Sequence, residues 1–188
     1  MDYLKETPSQ TAGPYVHIGL APAAAGFDAY DRELGFDPVP GDVPGDRIRI
    51  TGRVIDGMGA PVKDVLIETW QADAAGLYPG QPGAAAGFRG WSRVVPDFET
   101  GDFVIDTIRP GAHGRHAPHI ALWLVARGIN VGLQTRVYLP DADNDADPVL
   151  NLIEQPHRRR SLIATGEGGA YHFDIHLQGD QETVFLDV

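Results

Sequence analysis

Apolar and polar residues alternate along Arg47-Ile-Arg-Ile-Thr-Gly-Arg-Val-Ile55, with Ile48, Ile50 and Val54 on one face and Arg47, Arg49, Thr51 and Arg53 on the other. A period of two predicts a half-buried β-strand. Asp56-Gly-Met-Gly59 reads as a turn, and Val65 to Ala72 as a strand apolar enough on both faces to be central. After a Pro/Gly/Ala-rich loop over 79–90, Trp91 to Val95, Phe103 to Ile108, Ile120 to Ala126 and Val131 to Leu139 follow as strands, with a turn at Glu99-Thr-Gly-Asp102. Pro148 to Glu154 reads as a short helix with acidic residues near its positive end. Tyr171 to Leu177 alternates cleanly, Tyr171, Phe173, Ile175 and Leu177 against His172, Asp174 and His176, and Thr183 to Val188 closes the chain as a further strand. Residues 1–45 lack such periodicity and read as an irregular arm. A helical turn is expected near Tyr30 to Leu34, and Tyr15-Val-His-Ile18 is expected to pack on something. The pattern predicts an all-β protein: a β-sandwich of short, mostly antiparallel strands over 46–188, preceded by the arm.

Composition narrows the function classes. The 188 residues suit one domain, and the 23 glycines and 15 prolines punctuate apolar runs rather than forming low-complexity tracts. The 26 acidic against 15 basic residues give a net charge of -11, which argues against nucleic acid and anionic membranes as partners. The absence of cysteine excludes disulfides, thiolate metal sites and cysteine nucleophiles. Met1 to Glu6 is too polar for a signal peptide and no apolar run is long enough to span a bilayer, so a cytoplasmic location is expected.

The chemistry-bearing stretch is Thr107 to Asn130, where a Pro-Gly turn leads through a loop with His113, His116 and His119 into an apolar strand. A metal-ligand pair on a strand requires side chains at i and i+2. His119 has Ala121 at that place. Elsewhere, Asp141, Asp143, Asp145 and Asp147 imitate the start of a calcium loop but lack its glycine and final glutamate, so they read as a solvated acidic turn. His172, Asp174 and His176 share a face if their strand is regular, which suits either a metal or simply the wet side of an amphipathic strand. Arg158 to Arg160 is a short basic run expected to pair locally or at an interface. Tyr78 and His119, taken singly, read as packing residues.

Together with their surroundings they carry more. The segments Gly52 to Asp73, Thr107 to Gly111 and Ala117 to Ile120 resemble the core of the intradiol ring-cleaving dioxygenases. Glu6 to Tyr15, Ala126 to Asn130, Pro148 to Glu154 and Glu182 to Asp187 are similar to the chain of its two-chain members that carries no iron. The resemblance implies a sandwich fold and a family centre of non-haem ferric iron, Fe(III), bound by two tyrosinates and two histidines. Tyr78 would match the first tyrosine and His119 the first histidine, while Ala121 stands at the second histidine and Ala112-His-Gly114 supplies no second tyrosine. One phenolate and one imidazole make a poor site, since affinity rests on ligand count and geometry. The resemblance therefore implies no catalytic residue and no metal in this chain, with iron borne by a partner chain of the same family in a larger hetero-oligomer. Thr11, Gly13, Pro14, Tyr15 and Arg127 would contribute to the partner's cavity for a small aromatic substrate. Arg127 would orient a ring carboxylate there or pair within the interface. Arg136, if it lies near these positions, would occupy the space the metal left. Two rivals stay open: a self-sufficient enzyme in which His113 or His116 completes an unusual ligand set, and a non-catalytic sandwich binding module.

Overall fold

The alternation in Arg47–Ile55 (β1) becomes the spine of one sheet, its residues Ile48, Ile50 and Val54 facing inward and almost wholly buried in the computed structural model, which describes residues 10–187. Residues 6–9 of the arm motif and Val188 lie outside the described residues. The elements downstream of β1 are β2 (Leu66–Gln71), β3 (Trp91–Val94), β4 (Asp102–Ile108), β5 (His119–Val125), β6 (Leu133–Tyr138), β7 (Thr165–Glu167), β8 (Ala170–His172) and β9 (Ile175–His176). The first sheet runs β4-β1-β8-β7 with β9 also on β1; β4 is antiparallel to β1, and β8 and β9 are parallel to it. The second runs β3-β2-β5-β6 and is antiparallel throughout. Between them Ile50, Val54, Phe103 and Ile105 meet Ile67, Ile120, Leu122, Leu124 and Val137 in one core. Each such side chain contributes about 1.5–3 kcal/mol on leaving water. The chain is the expected all-β sandwich.

Three stretches differ from expectation. Tyr171 to Leu177 is not one strand: the Asp174 carboxylate accepts the Arg53 amide at 2.9 Å, a side chain replaces the ladder carbonyl, and pairing stops between β8 and β9. Gly52 permits this close passage, because a Cβ there would collide with the Phe173 carbonyl. Thr183 to Asp187 forms no regular strand but lies along β6, with Leu186 N donating to Gln134 O at 2.7 Å and Thr135 Oγ1 to Val184 O at 2.8 Å. In the arm no helix forms at Tyr30 to Leu34; instead α1 spans Pro14–Leu20. Extended Gly13 precedes Pro14, whose fixed φ starts the helix, and buried His17 meets Phe98 edge-on at 5.5 Å.

The arm then covers the edge of β3, where Arg93 N donates to Gly35 O at 2.7 Å and Arg93 Nη1 to Leu20 O at 2.9 Å. After β6 come α2 (Pro148–Leu152), as expected, and α3 (Pro156–Arg160), which the basic run had concealed. Arg158 pairs locally with Glu182 at 3.1 Å.

Candidate functional site

Ile120, Leu122 and Leu124 of β5 point into the core, so His119, Ala121 and Trp123 stand on the outer face. The antiparallel register places Tyr138 opposite His119 and Arg136 opposite Ala121, with Trp70 of β2 on the other side of Ala121. The loop after β2 delivers Tyr78 to the same face. Its anchor is Asp73, 1% exposed, whose carboxylate accepts the amides of Ala75 and Leu77 at 2.9 Å and of Ala85 at 2.7 Å. Tyr78 stacks on Trp70 (centroids 5.5 Å apart, 17° between planes) and meets His113 edge-on at 4.9 Å. Tyr78, His119 and Ala121 therefore do converge.

What stands among them is the Arg136 guanidinium. Its Nη1 lies 3.3 Å from both His116 Nδ1 and the Tyr138 hydroxyl. Arginine only donates, so His116 Nδ1 accepts, and its 3.5 Å approach to Asp147 Oδ2 is not a second hydrogen bond from that atom. Tyr138 donates onward to Asp147 Oδ1 at 3.0 Å. Asp147 is itself consumed: it caps α2 through the amides of Val149 and Leu150 and accepts Ala117 N at 2.9 Å. Burial would push its carboxyl up, but the Leu150 and Ala117 amides, the Tyr138 hydroxyl and the Val149 amide together hold it below the usual range.

The donor set is short of a ferric site, because Ala121 supplies no ligand and the Arg136 guanidinium beside it adds a positive charge. His119 Nδ1 donates to Ala117 O at 2.8 Å, and burial, aided by Arg136, pushes its pKa down to about 4. Burial likewise raises Tyr138 and Tyr78 above the ordinary phenol value, against a smaller opposing pull from Arg136. Among the described residues no group of three His, Asp or Glu side chains converges to hold a metal. His113 Nδ1 donates to Gly76 O at 2.7 Å, and His116 Nδ1 accepts from Arg136. A fixed cation stands beside the tyrosine and histidine that matched the family's ligands.

The other predicted residues gather at the opposite end of β5. The Thr11 hydroxyl donates to Ala126 O at 3.2 Å and accepts the Gly128 amide at 2.7 Å, clasping the peptides on both sides of Arg127. Gly13, Pro14, His17, Asp64, Phe98 and Arg127 line a depression of about 270 Å³. Arg127 also borders an open cleft of about 910 Å³ with Val62, Lys63, Ile129 and Leu133. Its side chain is 67% exposed and only loosely paired with Asp64, at 3.7 Å, while Tyr15 is 83% exposed beyond the depression. His119 begins β5 and Arg127 follows its end, so the two clusters lie on the order of 20 Å apart at 3.3 Å per residue.

The remaining sequence candidates are structural. His172 Nε2 meets Asp174 Oδ2 at 3.2 Å on an exposed face, and His176 belongs to a separate strand. Asp141 pairs with Arg109 and the Tyr171 hydroxyl. Sequence reasoning missed the roles of Asp73, Asp147 and Trp70. An Asp-Pro step at the start of α2 could have disclosed the Asp147 cap.

A family model described as Dioxygenase matches residues 22–179. The chain is 46% identical over 198 residues to the protocatechuate 3,4-dioxygenase alpha chain of Pseudomonas putida, covering 100% of this chain and 98% of that one. It belongs to the intradiol dioxygenase family. Within that iron-dependent family it is also 40% identical over its full length to the protocatechuate 3,4-dioxygenase alpha chain of Burkholderia cepacia, and 36% identical to the beta chain from the same organism, over 81% of this chain and 74% of that one. Among solved structures, the intradiol ring-cleavage dioxygenase of Tetranychus urticae has a TM-score of 0.59 at 14% identity, covering 78% of this chain and 88% of that one. At that identity it supports the intradiol dioxygenase fold alone.

Proposed function

We propose that this chain is the iron-free, alpha-type subunit of a protocatechuate 3,4-dioxygenase, a cytoplasmic hetero-oligomer whose beta-type subunit bears the Fe(III) centre. The reaction would be intradiol cleavage of protocatechuate between its two hydroxylated carbons, with both atoms of dioxygen entering the product, 3-carboxy-cis,cis-muconate. No step of that chemistry is assigned to this chain. Its arm (1–45) would contact the partner, its sandwich (46–188) would provide the scaffold, and Thr11, Gly13, Pro14, Tyr15 and Arg127 would wall the partner's cavity.

The observation that carries this reading is the separation of the two clusters. Arg127 is exposed and held by the arm at the end of β5 remote from His119, so it cannot line a cavity around this chain's own Tyr78 and His119. A guanidinium placed there suits a carboxylate approaching a neighbouring chain. The full-length identity to alpha chains and the guanidinium beside Tyr78 and His119 agree with it.

The test is iron content and protocatechuate-dependent oxygen uptake of the chain alone and co-purified with a beta-type partner. Iron and turnover only in the complex are expected. Stoichiometric iron and activity in the chain alone would favour a self-sufficient enzyme, and neither in both samples a binding module.

A further inference from the structure

Trp91, Trp70, Ala121 and Arg136 form one row across the outer face of the second sheet, and Trp123 follows Ala121 on the same face. In this row Ala121 offers only a methyl group. The strands carrying Trp70 and Arg136 flank it and are about 10 Å apart, two inter-strand spacings, which sets this small side chain between an indole and a guanidinium. Tyr78, stacked on Trp70, extends the aromatic wall.

Among the described residues Arg136 forms no salt bridge, and its recorded hydrogen bonds use Nη1 alone, toward the neutral acceptors His116 Nδ1 and Tyr138 Oη. The carboxylate nearest to its partners, Asp147, is already engaged with three amides and a hydroxyl. A partly buried charge of this kind is costly unless an anion joins it. Its uncommitted Nε and Nη2 form the edge by which a guanidinium takes a carboxylate in two parallel hydrogen bonds.

The geometry points to a binding site for a small aromatic carboxylate over Ala121, its carboxylate on the Nε–Nη2 edge of Arg136 and its ring against Trp70 and Tyr78. The site requires neither iron nor a partner chain, so its test is independent of the proposed function. The aromatic wall favours a ring-bearing anion over inorganic phosphate.

Trp70, Trp91 and Trp123 are the chain's three tryptophans, and all stand on this face. Intrinsic tryptophan fluorescence of the full chain, titrated with benzoate, therefore reads the site directly. A saturable change is expected with benzoate and none with benzyl alcohol, its neutral counterpart. Arg136→Leu should weaken benzoate binding by about tenfold or more, the worth of a charge-assisted hydrogen bond. Ala121→Leu, which puts a bulky side chain between Trp70 and Arg136 and keeps the cation, should abolish the response with little change in melting temperature, and it decides the matter if Arg136→Leu does not fold. A non-saturating response, equal responses to benzoate and benzyl alcohol, or unchanged binding in folded variants would overturn the assignment.

Discussion

Ala121 and Arg136 are direct neighbours across the β5–β6 ladder, a methyl beside a guanidinium at the position where the family resemblance calls for a second iron-ligating histidine. Restoring the imidazole is therefore insufficient to restore a metal site. Ala121→His should bind no stoichiometric ferric iron, because Arg136 remains where a second positive charge would have to sit. Elemental analysis after incubation with ferric iron checks this; one iron per chain would show that the guanidinium can be displaced.

His119 makes stability fall with acid. Its native pKa is about 4 against an ordinary 6.5, so between these values the unfolded chain takes up a proton that the native chain refuses. Stability should decline as pH drops from about 6.5 toward 4, by at most about 3 kcal/mol from this residue. Urea unfolding of the wild type and His119→Gln across that range should converge as pH falls, since glutamine has no proton to gain. Parallel curves would remove His119 from the account.

Asp147 joins three elements, capping α2, fixing the Tyr138 hydroxyl of β6 and receiving the Ala117 amide ahead of β5. Asp147→Ala removes the cap and leaves a buried amide and hydroxyl without acceptors. A loss of about 3 kcal/mol in urea unfolding is expected. A loss below about 1 kcal/mol, the size of a cap alone, would mean that water replaces the carboxylate.

In the proposed alpha–beta complex, Arg127→Ala should raise the KM for protocatechuate by about tenfold with little change in kcat, because a guanidinium that meets the ring carboxylate contributes to binding rather than to bond breaking. Added salt should narrow the difference. A fall in kcat at constant KM would require a more direct role than steering.

The strands were legible because each carries its own period: the alternation in Arg47–Ile55 and the apolar faces of β2 and β5 reappear as burial. Local pattern could not disclose the break at Asp174, whose carboxylate meets the Arg53 amide 121 residues away in sequence. It also concealed α1, since Val16 and Ile18 look like strand residues and only the Gly13-Pro14 step marks a helix start. That Ala121 stands where the resemblance expects a histidine was readable in the sequence. The side chain beside it depends on register: a shift of one residue between β5 and β6 would turn Arg136 toward the core and bring another side chain to this place.

A cation carried on a side chain cannot be lost. Iron held by ligands can be withdrawn by a chelator, displaced by acid or withheld when the metal is scarce, and a fold organised around it is exposed to each of these events. Arg136 is delivered by translation itself, as part of β6. The charge on this face is thus set when the chain is made.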